Sequence, residues 1–406
     1  KTLKPAEKEL VKRWVAEGAK YQAHWSLLPP QRPAVPLVRK TDWVRNPVDN
    51  FILAKLDEKN LKPNSPADKR TLIRRATFDL IGLPPTRAEY EAFVSNTAPD
   101  KRAKVIDQLM DRDEFIDIWA MKWGEMLRIR SSQNQPQFGR DAKPMWQYAA
   151  WVRDQMAVNR PLNELVSDLV VGSGSNIKQP TSNLYTSIER LTPQKTAEDF
   201  AQTFMGTRIQ CAQCHNHPFD RWTMDDYYGF ASFFAGVSMK RGVEGREIIV
   251  FNNNNANTVD HPVDGRAMKP KFLGGDTPNV DGQDPRKSLA ALLTSPDNSA
   301  FCQSMANVIW AHFFGRGIVE PVDDVRISNP PSNKELLEEL GKRLAAYGFD
   351  KKKLIRDICN STTYQLSVQT NPTNELDEAY FSHSYVRRLR AEVLLDTISK
   401  VTNTED

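Results

Sequence analysis

From Pro47 to about Ala235 the apolar residues recur three and four positions apart, and many of these runs open or close on a proline or a glycine. That spacing gathers side chains on one face of a helix. A proline removes a backbone donor and is tolerated only at a helix start, so the same residues that permit helices also punctuate them. Asn46-Pro47 opens a helix carrying Phe51, Ile52, Ala54 and Leu56. Ser65-Pro66 opens another with Leu72, Ile73, Ala76, Phe78 and Leu80, closed by Gly82 and the Pro84-Pro85 pair. Thr86-Arg-Ala-Glu89 fits a capping box. The pattern predicts further helices over 101–111, 114–130, 143–158, 161–171, 193–206 and 225–235.

Ahead of this block, residues 4–18 read as a short amphipathic helix with Leu10, Val11, Trp14 and Val15 on one side. Leu28–Pro36 holds four prolines and is an arm or linker. Beyond Ser238 the character changes. Ile248–Phe251 is the one convincing strand run, and the Asn, Gly, Pro and Asp residues after it signal turns. Helices return over 286–294, 298–314, 332–347, 350–360 and 388–401, with Ser332 as a cap and Gly348 as a stop. At 406 residues the chain exceeds the roughly 250–300 at which single cores stop growing. The expectation is a mainly α, multi-helical two-domain protein with a small β-hairpin-bearing connection.

Charge excludes more than it identifies. A net charge of +4, with Lys/Arg and Asp/Glu interspersed, gives no concentrated basic face, so no nucleic-acid partner is expected. No apolar run approaches the roughly 18–20 residues that span a bilayer. Lys1 in place of Met, with no charged-then-apolar leader behind it, is what a processed product would show. Four cysteines are too few for a disulfide scaffold. Cys302 and Cys359 stand alone and are either buried thiols or a disulfide made in an oxidising compartment.

The other two cysteines carry chemistry. Cys211-Ala-Gln-Cys214-His215 has the C-x-x-C-H spacing of c-type haem attachment. Two thiols one turn apart can add to the two vinyl groups on one haem edge, and the adjacent imidazole becomes the proximal iron ligand. Arg208 and Arg221 bracket the motif and are candidates for the propionates. Flanking aromatics, Phe200, Phe204, Phe219, Trp222, Tyr227, Tyr228, Phe230, Phe233 and Phe234, could wall a flat cofactor or belong to the core. The spacing also admits a zinc site that adds His217, a redox disulfide, or incidental cysteines. His217 is further suited to the haem rim or to a polar or metal site with Asp220. For the distal iron position the candidates are His24, His261, His312, His383, Met205, Met224 and Met239, with His24 able to fold over from outside.

Several stretches together resemble the planctomycete-type cytochrome-associated proteins, in which two tandem domains of unknown function follow a planctomycete cytochrome c domain. The matching pieces are Trp14-Val-Ala-Glu-Gly-Ala19 with His24-Trp25, Asn46-Pro-Val-Asp49, and Arg74 through Thr86. They continue with Cys211–Trp222, Asp226-Tyr-Tyr-Gly229, Asn307–Gly317, Asn329-Pro-Pro-Ser-Asn333, Ser361-Thr-Thr-Tyr-Gln365 and Arg387–Asp396. The resemblance implies that residues 1–30 are the tail of a preceding cytochrome domain plus the proline-rich arm. It implies a helical domain with the haem motif at 31–236, a loop and hairpin connection at 237–284, and a C-terminal helical domain at 285–406. It also implies export to the periplasm or beyond. The function expected is a c-type haem protein with one covalent haem c, transferring electrons with a cytochrome domain or other redox partner. The alternatives are a haem enzyme using peroxide or oxidising a substrate, with a link to polysaccharide use, and a non-redox, metal-stabilised binding or hydrolytic module. The third would draw on His217, Asp220, Glu125, Asp141, Asp225 and Asp226.

Overall fold

Helix caps explain where most elements begin. In the computed structural model, which describes residues 3–19, 32–130, 142–253, 258–275, 277–280 and 282–404, α1 (Pro5–Ala16) is followed by α2 (Pro47–Glu58). There the Asn46 side chain accepts the Val48 N–H at 3.0 Å, just ahead of Pro47. Next come α3 (Lys69–Ile81) and α4 (Arg87–Ser95), the latter with the predicted reciprocal Thr86/Glu89 capping box. Then follow α5 (Lys101–Met110), α6 (Asp113–Met126), α7 (Ala142–Ala157), α8 (Leu162–Val170), α9 (Asn183–Thr186) and α10 (Pro193–Met205). After α11 (Met224–Ala231) the connection intervenes, and α12 (Pro285–Leu293), α13 (Ser299–Phe314), α14 (Lys334–Ala346), α15 (Lys351–Asn360) and α16 (Ala391–Thr402) complete the series. The fold is mainly α, as expected.

The last helix begins at Ala391 rather than 388, and two predicted caps are displaced. The second predicted helix begins at Lys69, because Asp68 rather than Ser65 accepts the Thr71 N–H, at 2.7 Å. Pro66 instead forms a bridge with Leu366. At α14 the cap is Asn333, while the Ser332 hydroxyl donates to the Ile318 carbonyl at 3.1 Å. Cys302 and Cys359 form no disulfide; each is a buried free thiol on its own helix. Burial pushes the Cys302 thiol up to about 12. The hairpin is present as β2 (Val237–Arg241) and β3 (Ile248–Asn252), with Met239 opposite Val250. A two-residue strand, β1 (Gly174–Ser175), adds to the other edge of β3 and ties the connection to the segment before it.

The helices before and after the connection share one core. A single contiguous cluster of buried apolar residues runs from Val48 to Phe381. It is built where α8 meets α12, α10 meets α13, α5 meets α15 and α2 meets α14. Its polar seam is centred on Asp49, which is 0% exposed. The Asp49 carboxylate accepts the backbone N–H groups of Arg45 (2.9 Å), Thr362 (2.9 Å) and Thr363 (3.0 Å), and the Thr363 hydroxyl at 2.9 Å. Nearby, Asp79 accepts the Tyr364 hydroxyl at 2.7 Å and the Arg387 guanidinium at 2.6 Å. His312 donates from Nε2 to the Asp79 carbonyl at 2.7 Å, and Asn333 donates to the Phe51 carbonyl at 3.0 Å. At the far end Arg286, also 0% exposed, pairs with Asp284 and donates to the Gly172 carbonyl and the Ser173 hydroxyl.

Desolvating a carboxylate costs several kcal/mol and is offset only when its lone pairs are taken. Removing Asp49 would leave the Thr362 and Thr363 N–H groups buried without acceptors, at about 1–3 kcal/mol each. Asp49→Ala is therefore expected to lower stability by about 3 kcal/mol or more, read as a fall in the urea midpoint. A loss below about 1 kcal/mol would show that the seam contributes little.

Candidate functional site

The motif sits on a turn held at both ends by buried side chains. Helix α10 stops at Gly206, whose φ of +64° suits a residue without Cβ. Ile209 is buried, and a short 3₁₀ turn over Gln210–Gln213 follows, with Ala212 pointing into the core. Cys211, Cys214 and His215 are all exposed. The chain then returns across itself. The His217 N–H donates to the Trp222 carbonyl at 2.7 Å, the Met224 N–H to the Asn216 side chain at 3.2 Å, and the Tyr228 hydroxyl to the Gln213 carbonyl at 2.9 Å. Trp222 is 2% exposed and anchors the return strand. Thr223 and Asp226 then start α11 with a reciprocal cap, and Asp226 also takes Lys271 at 2.9 Å. The result is a short exposed turn on a rigid frame.

The two imidazoles of the motif differ. His215 Nδ1 lies 2.8 Å from the Asn216 carbonyl oxygen, which can only accept. Nδ1 therefore carries the proton and Nε2 keeps its lone pair, the arrangement an axial metal ligand needs. His217 uses Nδ1 to accept the Phe219 N–H at 3.2 Å, so that lone pair is already taken. Burial holds the His217 imidazole below its ordinary pKa; Asp220 opposes this, while Arg326 and His215 add to it. Asp220 itself accepts the Arg221 N–H at 2.8 Å. His217 Nδ1 and one Asp220 oxygen are thus engaged within the loop.

The remaining candidates fall apart in space. Phe200, Phe204, Trp222, Tyr227, Tyr228, Phe230, Phe233 and Phe234 are buried and pack on one another, as Phe200 does on Phe234 with centroids 4.7 Å apart. Only Phe219 among the flanking aromatics is exposed, at 63%. Arg208 donates from Nη2 to Asp323 at 2.8 Å. The Arg221 guanidinium lies over the Trp222 ring, 5.5 Å from its centroid. His312 and His383 donate to backbone carbonyls, and His261 lies between Asp225 (3.2 Å) and Asp264 (3.4 Å). Met205 is buried, and Met224 and Met239 are half-buried. His24 and Asp141 lie outside the described residues. Glu125 pairs with Arg390, and Asp225 with Arg266. Among the described residues, no group of three or more His, Cys, Asp or Glu side chains is placed to hold a metal ion. No helix among them is long and apolar enough to cross a membrane.

The structure adds what spacing did not show. The loop 321–326 clamps the Gly206–Arg208 turn: the Val325 N–H donates to the Gly206 carbonyl at 2.7 Å, and Asp323 takes both Gln202 (2.6 Å) and Arg208 (2.8 Å). Two buried donors near the motif, Trp222 Nε1 and Arg326 Nε, have no hydrogen-bond partner in the protein. Local sequence gives no signal for this clamp, which closes over more than a hundred residues of chain.

Comparison with known families fits this division. Residues 47–239 match the family model PSCyt2, described as a protein of unknown function (DUF1549), and residues 285–406 match PSD1, likewise of unknown function (DUF1553). The chain is a tandem of a DUF1549 and a DUF1553 domain. No curated protein and no solved structure matches it. The cysteine motif lies in the DUF1549 domain, the clamp in the DUF1553 domain, and the shared core joins the two.

A Cβ on Gly206 would stand 3.1 Å from the Val322 carbonyl and 3.2 Å from the Ser304 hydroxyl, in a left-handed conformation. Gly206→Ala is expected to cost about 1–2 kcal/mol. Alanine at exposed Cys211 and Cys214 together should change the metal-free protein's stability by only about 0.5 kcal/mol. Thermal unfolding of the two variants side by side checks both statements, and a reversed order would contradict the clamp.

Proposed function

We propose that this tandem protein is an exported c-type haem protein with one covalent haem c, transferring electrons with a cytochrome domain or other redox partner. Cys211 and Cys214 are assigned to the thioether links, His215 Nε2 to the proximal iron position and Arg221 to a propionate. The observation that carries the proposal is the pairing of two exposed thiols with an imidazole whose Nδ1 is tied to a carbonyl, leaving Nε2 for a metal. When bound, the haem would supply a one-electron iron couple. The chain's own part would be to present Cys211, Cys214 and His215 on an exposed turn that the buried Ala212 and Trp222 anchor to the core. Thioether attachment belongs outside the cytoplasm, which is why the proposal includes a periplasmic or extracellular location.

A haem enzyme is favoured by one observation: His261, His312 and His383 are hydrogen-bonded within the fold, so none of them stands ready for the distal position. A carbon monoxide titration of the reduced protein separates the readings, with binding supporting the open site and no spectral change supporting the carrier.

Expression with a c-type maturation system is expected to give a Soret band that survives acid–acetone extraction. Cys211→Ala with Cys214→Ala should abolish it, and His215→Ala should keep the attachment while altering the axial spectrum. Unmodified protein that retains no haem after extraction would contradict the proposal.

A further inference from the structure

Helices α4 and α5 form a hairpin, each packed on α3, and leave a groove between them. The groove encloses about 270 Å³. Its floor is buried and made by Ile73 and Thr77 of α3, Phe93 of α4 and Leu109 of α5, with Val105 as a half-buried wall. The Thr77 hydroxyl is turned to the Ile73 and Arg74 carbonyls, at 3.1 and 3.0 Å, so the floor offers no free donor. A volume just under the roughly 300–1,000 Å³ of ordinary ligand pockets sets the size of an occupant as small.

The two ends of the groove differ in charge. Away from the hairpin loop, Arg112 pairs with Glu89 at 2.8 Å and with Glu114 at 2.5 Å. The other Glu89 oxygen accepts the Thr86 N–H at 2.7 Å, so that end is balanced. At the loop end, the Lys101 ammonium donates to the Phe93 and Asn96 carbonyls at 3.1 and 2.5 Å and lies 4.8 Å from the centre of the Phe93 ring. Among the described residues no carboxylate pairs with it. Lys69 brings a second ammonium to the same end of α4, on the Val94 carbonyl at 3.0 Å. Lys104 pairs with Asp100 at 2.9 Å, but both side chains are exposed and such a pair is weak. The first turn of α5 thus carries Lys101, Arg102 and Lys104 and no acid, where the helix dipole is already positive. An ammonium drawn partly out of water is matched best by a carboxylate.

We propose that the α4–α5 groove binds a small monocarboxylate with an unbranched apolar tail. The carboxylate lies on Lys101, and the tail lies over Phe93, Val105 and Leu109. This site uses none of the cysteine turn and is independent of the haem reading.

The test is isothermal titration of the full chain with octanoate and, separately, with octylammonium, both below their micellar concentrations. Octanoate is expected to bind at one site per chain, and about tenfold or more tighter than octylammonium. Lys101→Met keeps the length and loses the charge, and should weaken octanoate by about tenfold. Ala92→Trp, on the exposed rim of α4, should fill the groove and abolish binding while the protein keeps its helical circular dichroism. Absence of saturable octanoate binding overturns the proposal, and so does equal binding of the two amphiphiles. A folded Ala92→Trp variant that binds octanoate like the unaltered protein overturns it as well. Lys101→Met also removes two bonds from the end of α4; if that variant does not fold, Ala92→Trp and the comparison of the two amphiphiles decide.

Discussion

The Asp49 carboxylate lies wholly out of water, and every donor that satisfies it comes from backbone or hydroxyl groups on both sides of the molecule. A buried charge of this kind is tolerable only in one geometry, so it fixes how the Thr362–Thr363 turn meets the start of α2. Several of the stretches that carry the family resemblance converge on the same seam. Asn46-Pro-Val-Asp49 meets Ser361-Thr-Thr-Tyr364, the Arg74–Asp79 stretch meets Tyr364 and Arg387, and Asn333 caps α14 while holding the Phe51 carbonyl. Those residues are mating surfaces between the domains. Their chemistry is that of interior packing, whereas Cys211, Cys214 and His215 face water.

The seam also governs the candidate site. Helix α10 packs on α13 in the shared core, and its C-terminal turn is gripped by the loop that follows α13. The cysteine turn therefore inherits its position from both domains, although its residues belong to one. Its frame is made of short backbone bonds and two buried anchors, and its cysteine and His215 side chains are exposed. Such a division suits attachment of a group to a surface whose shape does not change when it is loaded.

Elements set by local chemistry were legible in the sequence. The Asn46-Pro47 start, the Thr86–Glu89 box and the Gly82 stop are all decided within four residues, and each stands as expected. The starts read at Ser65 and Ser332 were displaced by contacts from elsewhere in the chain. Asp68 displaced Ser65 because Pro66 is held by Leu366 from the far end of the chain, and Asn333 displaced Ser332, whose hydroxyl is bound to Ile318. The aromatics around the motif could be walls or core by spacing, and burial makes all of them but Phe219 core. Arg208 looked free because its partner Asp323 lies more than a hundred residues away.

The shared core can be tested by cutting the chain between its two family domains. Gly282 lies between them and a Cβ there would meet nothing within 4 Å, so a protease site placed there should leave the packed elements in place. After cleavage the two pieces are expected to co-elute on gel filtration and to melt in one transition, because neither can bury its half of the shared core alone. Pieces that separate, each with its own cooperative melting, would contradict the account.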